Sequence, residues 1–113
     1  MEIKIFSLEQ ANDRIPDLKS LLKKFRIKEK QMREILSGKS RQTVNLFEKE
    51  LTEILRSFEE LGCVLRDPYA GLVDFPSVYN KEPIYLCWKE GEDRIQFYHG
   101  VEDGFKGRKE LPV

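Results

Sequence analysis

The sequence predicts an α+β fold: a long antiparallel helical hairpin packed against a small antiparallel β unit of two hairpins. Three observations predict it. Apolar residues up to Leu61 recur at alternating steps of three and four, the interval of helices that meet along a seam. After Gly62 the period changes to two, as in strands with one covered face. Gly, Pro and Asp punctuate the stretches between, which is turn chemistry. At 113 residues the chain is one domain by size, long enough to bury most of its unfolded surface. The expected division is a helical hairpin over 7–61, a β unit over 62–99 and a loop-like tail over 100–113.

Residues 1–6 read as either a short strand or an extended lead-in. Ser7 with Gln10 three residues on makes a capping box and opens a helix at Leu8. Its apolar stripe is Leu8, Ala11, Ile15, Leu18, Leu22, Phe25, Met32 and Leu36, broken by Glu29. Pro16 removes a backbone bond and disfavours helical geometry at Ile15. The stripe runs on across it, so a kink near Ile15 is expected rather than a stop. Ser37-Gly38-Lys39-Ser40 ends the helix, with Gly38 suited to a left-handed cap.

The second helix carries Val44, Phe47, Leu51, Ile54, Phe58 and Leu61 at the same intervals. Two long helices with a short connection pack antiparallel. Lys19, Lys23, Lys24, Arg26, Lys28, Lys30 and Arg33 crowd the first; Glu48, Glu50, Glu53, Glu59 and Glu60 crowd the second. Compensation across the hairpin accounts for this better than a nucleic-acid stripe, because the basic face has no aromatics on which bases would stack.

Residues 63–66 and 72–75 read as strands joined by Asp67-Pro68-Tyr69-Ala70-Gly71, with Pro76 closing the second. Residues 84–88 and 94–99 read as another hairpin. A turn centred on Gly91-Glu92 pairs Trp88 with Ile95, Leu86 with Phe97 and Ile84 with His99, on the face toward the helices. Cys87 and Tyr85 then lie on the other face. Trp88, Leu86, Ile95 and Phe97 are expected to cover the helices, and Cys87 to behave as a small hydrophobe.

Composition narrows the function classes. Twenty basic and twenty acidic residues cancel, so no global charge draws the chain to nucleic acid or an anionic membrane. No apolar run approaches the roughly 20 residues of a membrane helix. MEIKIFSLEQ lacks the basic start and apolar stretch of a secretion signal. Cytoplasm is the expected location, with Cys63 and Cys87 reduced and partly buried.

Several blocks together resemble a known family. They are Phe6-Ser7-Leu8-Glu9-Gln10-Ala11-Asn12 with Ile15-Pro16, then Gly71-Leu72-Val73-Asp74-Phe75-Pro76, then Tyr85-Leu86-Cys87-Trp88-Lys89 with Gly91-Glu92. Phe97-Tyr98-His99 and Gly104-Phe105-Lys106-Gly107-Arg108 complete them. The chain is similar over nearly its whole length to the uncharacterised family called domain of unknown function 2203. Gln10 departs from the acidic residue expected there, though either completes the cap. The resemblance implies a bacterial or archaeal cytosolic protein with a helical hairpin joined to a small β unit. It carries over no catalytic residue.

Chemistry therefore rests on the residues themselves. His99 with Asp74, Glu92 or Glu102 is the set that would serve acid–base work; the simpler expectation is that His99 caps the core edge through a backbone hydrogen bond. Cys87 and His99 on opposite faces argue against a thiol nucleophile. One His, two Cys and Asp74 would make a zinc set, but structural zinc sites show paired ligands at short spacing and none exists here. No metal and no cofactor is expected. Residues 104–108 would wrap an anion; their simpler use is a turn in which Phe105 docks on the core and Arg108 pairs with an acid such as Asp74.

Two functions follow. The first is a non-catalytic interaction or scaffolding protein that self-associates through its helices as a homodimer, with a further protein partner conceivable. Leu21, Ile27, Ile35, Leu46 and Leu55 lie off the seam and favour it. The alternative is a small-molecule or anion-binding protein, conceivably an enzyme. Its site would lie at the end of the second hairpin and the tail, on Asp74, Trp88, His99, Glu102 and Arg108.

Overall fold

The computed structural model describes residues 4–35 and 41–112, with the side chain of Ile35 outside the description. The Ser7 capping box forms: its hydroxyl accepts from Gln10 N at 3.1 Å and the Gln10 side chain accepts from Ser7 N at 3.0 Å. It opens α1, Leu8–Asn12. The helix breaks at residues 13–14 and resumes as α2, Ile15–Ile35. The long helix is therefore bent where Pro16 predicts it. Pro16 falls in the first turn of α2, where its missing N–H would have no partner anyway. The expected cap at Gly38 and the stripe position Leu36 lie outside the described residues. The second helix is α3, Arg41–Glu60.

The β part is one five-stranded antiparallel sheet in the order β1-β2-β3-β4-β5, not two separate hairpins. The strands are β1 Val64–Asp67, β2 Leu72–Tyr79, β3 Glu82–Lys89, β4 Phe97–Gly100 and β5 Lys109–Glu110. Pro76 does not close β2. Its carbonyl accepts from Phe6 N at 2.8 Å, so its peptide groups face the lead-in, and a missing N–H on that side costs the β2–β3 ladder nothing. Lys4–Ser7 forms no strand, with Ser7 in extended geometry. β2 turns into β3 at Asn80 and Lys81, both at positive φ (51° and 64°), as a two-residue primed turn requires. The tail is only partly a loop: residues 105–107 form a 3-10 turn and β5 pairs with β4.

One core joins helices to sheet. Ala11, Ile15, Leu18, Leu22 and Phe58 pack with Val73, Phe75, Ile84, Leu86, Trp88 and Ile95. Alternation explains which strand residues take part: Val73 stands opposite Trp88 and Phe75 opposite Leu86, all on one face of the pleat. Phe6 plugs the edge, its ring 4.9 Å from that of Phe75. Lys28 ties α2 to α3, 2.6 Å from Glu50 and over the Phe47 ring at 5.2 Å. Arg26 ties α2 to the sheet loops through Glu90 and the Tyr69 carbonyl. The molecule extends 54 × 30 × 25 Å. No helix among the described residues is long and apolar enough to cross a membrane.

Two substitutions test this packing. Phe58→Ala empties a fully enclosed site and is expected to cost about 3–5 kcal/mol, read from the urea midpoint. Gly71 has φ 71°, and a Cβ there would lie 2.6 Å from Glu90 Cβ. Gly71→Ala is expected to cost about 1–3 kcal/mol in the same measurement.

Candidate functional site

The register of β3 on β4 differs by one residue from the expected one. Leu86 stands opposite Tyr98, Tyr85 opposite His99 and Cys87 opposite Phe97. The cause lies in the connection. Glu92 accepts from Lys89 N through its side chain at 2.8 Å and from Trp88 Nε1 through its carbonyl at 2.9 Å. Beyond it the chain leaves the ladder, because Ile95 N donates to Asn12 Oδ1 at 2.7 Å. Pairing resumes only at Phe97. Trp88, Leu86, Ile84 and Ile95 face the helices as expected. Phe97 and His99 do not: the slip turns both to the opposite face.

That face holds a buried polar cluster. Asp74 on β2 stands opposite Cys87 on β3, and His99 on β4 lies beside them. Asp74, Cys87 and His99 are 2%, 0% and 2% exposed. Asp74, Cys87 and His99 ligand atoms all lie within 4.8 Å of one another. The expected separation of Cys87 from His99 is thus overturned. Asp74 Oδ2 accepts from Arg66 Nε at 2.8 Å and lies 3.0 Å from His99 Nε2. Arg66 sits at a bulge between the Leu65 and Asp67 pairings, and its guanidinium lies over the Tyr85 ring at 4.9 Å. The Asp74 contact holds Arg66 above its usual pKa. His99 Nδ1 is 2.8 Å from Gly100 O, the backbone hydrogen bond expected of a histidine at the core edge.

Of the other candidates only Arg108 reaches this cluster, its Nη2 donating to the Cys87 carbonyl at 3.4 Å. Arg108 is on the same face but pairs with Glu92, not Asp74: Nη2 donates to both Glu92 oxygens at 2.8 Å. Its guanidinium stacks on Phe97 at 4.0 Å and on Phe105 at 4.8 Å. Phe105 is 41% exposed and does not dock on the core. Residues 105–107 form a 3-10 turn and Arg108 pairs with Glu92. Trp88 is on the helix side of the sheet. Glu102 is exposed beyond β4 and, with Tyr79, Glu82, Tyr98 and Lys109, lines a cavity of about 540 Å³. Arg66 is the member that sequence reasoning missed, and Cys87 is one it set aside because the expected register placed it away from His99. An acid inside the apolar run Leu72-Val73-Asp74-Phe75 is the signal that pointed to them, since a buried carboxylate needs partners.

Burial pushes the Cys87 thiol up to about 12, helped by the Asp74 carboxylate and opposed by Arg108. Burial likewise pushes Cys63 up to about 12; its thiol donates to Phe58 O at 3.2 Å. Both thiols are therefore held in the protonated form near neutrality, and both are free. A thiol whose folded pKa is raised stabilises the fold fully below the unfolded value. That contribution is lost as pH climbs from about 9 toward about 12. The urea midpoint is expected to fall over that range, with Cys63→Ala removing up to about 1.4 kcal/mol per pH unit of the slope. Ellman's reagent is expected to titrate neither cysteine at pH 8 until the protein is unfolded.

No curated protein and no solved structure matches the chain. The family described as "Uncharacterized conserved protein (DUF2203)" matches residues 4–111, which takes in the bent helix, α3, all five strands and the buried cluster. The chain belongs to that family.

Proposed function

We propose that this chain is a non-catalytic, cytosolic interaction protein that pairs with a second copy of itself through its helices. The observation that carries this reading is the unfinished burial of α3. Val44, Phe47, Leu51 and Ile54 form a regular apolar stripe, yet none is buried; each stays half-exposed. By contrast Leu18 and Leu22 of α2 are fully enclosed. A helix with a stripe over several turns is stabilised by covering it, and here the cover is incomplete.

α2 and α3 read as an antiparallel pair, since Lys28 reaches Phe47 and Glu50 while Phe58 joins Leu18 and Leu22. Such a pair presents charges that favour a second copy over another partner. Lys28–Glu50 is the ion pair between the helices among the described residues. Lys19, Lys23, Lys24 and Lys30 stay exposed on α2, and Glu48, Glu53, Glu59 and Glu60 on α3. A two-fold axis sets the basic helix of one copy against the acidic helix of the other. Ile27 and Leu46, 49% and 56% exposed, add apolar area at the same end.

Light scattering after size exclusion at tens of micromolar is expected to give twice the 13.4 kDa chain mass. Phe47→Asp with Leu51→Asp is expected to give the single mass with unchanged far-ultraviolet circular dichroism. Raising the salt is expected to weaken association. A wild-type chain of single mass under these conditions overturns the reading.

A further inference from the structure

We propose that Asp74, Cys87 and His99 form a binding site for one divalent transition-metal ion, with zinc the best fit. Three strands converge on it. β2 presents the Asp74 carboxylate, β3 the Cys87 thiol and β4 the His99 imidazole, with ligand atoms no more than 4.8 Å apart. Sulfur, nitrogen and oxygen together are the donor set of a borderline-soft ion, and three protein ligands leave one tetrahedral position open.

Hydrogen-bond accounting points to a cation there. Gly100 O can only accept, so His99 Nδ1, 2.8 Å away, carries a proton and donates. A metal-binding histidine is usually oriented in this way, its second nitrogen held by a carbonyl. His99 Nε2 then faces Asp74 Oδ2 at 3.0 Å, and that oxygen is also an acceptor. A neutral ring would set lone pair against lone pair in a buried site. Either a second proton or a cation resolves the contact. The other carboxylate oxygen, Asp74 Oδ1, is buried with no hydrogen-bond partner, and a buried acceptor left in that state is costly. A metal ion uses all three groups at once. It takes the place of the Cys87 thiol proton, and of a proton between Nε2 and Oδ2 where one is held, and each displaced proton leaves to solvent. Arg66 stays on Oδ2, where it balances the two anionic ligands from the half-exposed side of the cluster.

The test uses the whole chain, stripped with a chelator and titrated with cobalt(II) alone, then with zinc(II). One equivalent of cobalt is expected to give thiolate-to-cobalt charge-transfer absorption in the near ultraviolet, and zinc to displace it. Cys87→Ser is expected to abolish that absorption and Cys63→Ser to leave it intact. His99→Gln removes a direct ligand and is expected to weaken binding by more than the roughly 100-fold that losing a ligand's hydrogen-bond partner costs. X-ray absorption of the zinc-loaded wild type needs no variant to fold and is expected to show one sulfur and one imidazole neighbour. The proposal is overturned by a wild type with no charge-transfer absorption in excess cobalt. A zinc shell without sulfur, or absorption that follows Cys63 instead of Cys87, overturns it as well.

Discussion

Burial of both faces of β2 and β3 is the constraint on which the rest of the structure depends. Val73, Phe75, Leu86 and Trp88 go to the helices. The residues between them, Asp74 and Cys87, are then forced to the other side of the same strands, and they too are buried. A strand with one wet face would let a carboxylate at that position hydrate freely. Here it must find partners inside, because an isolated buried charge is far costlier than a paired one. Arg66 and His99 supply them.

The polar face has its own cover. Arg108 lies between the Phe97 and Phe105 rings while its Nη2 grips Glu92. Glu92 in turn holds the Trp88 ring nitrogen and the Lys89 amide. One glutamate thus couples a core tryptophan, the end of β3 and the arginine on the opposite face. Arginine suits this place because its planar fork can stack and bond in one conformation. The same turn that shifts the β3–β4 register also anchors the cover over the cluster.

The helices have the reverse character. Near the sheet they are enclosed, with Leu18, Leu22 and Phe58 fully buried. Farther along α3 no such closure occurs, and Val44, Phe47 and Leu51 remain half-exposed. The contrast follows from geometry: two helices alone cannot surround a stripe that in the sheet-backed half has a third surface against it. Metal binding and self-association would therefore occupy separate parts of the molecule, and neither needs the other.

Much of the fold is legible in the sequence because it is encoded between near neighbours. The capping box at Ser7, the bend at Pro16, the two helical periods and the turn at Asp67 each depend on residues a few positions apart. The Asp67 carboxylate accepting from Tyr69 N and Ala70 N is such a local bond. The site is legible only in part. Asp74 and His99 stand out as an acid in an apolar strand and a solitary imidazole, and the structure joins them. Their company does not follow from the sequence. Cys87 reaches His99 only through a one-residue shift, and that shift depends on Asn12 capturing the Ile95 amide from 83 positions away. Pro76 stays within a strand because its missing N–H falls on the side of Phe6, outside the β2–β3 ladder. Periodicity by itself determined the two long helical segments and the centres of the first four strands, but not β5 or the strand ends. Contacts between distant segments decided the register, and through it which buried groups share a face, because a period of two carries no information about where pairing begins.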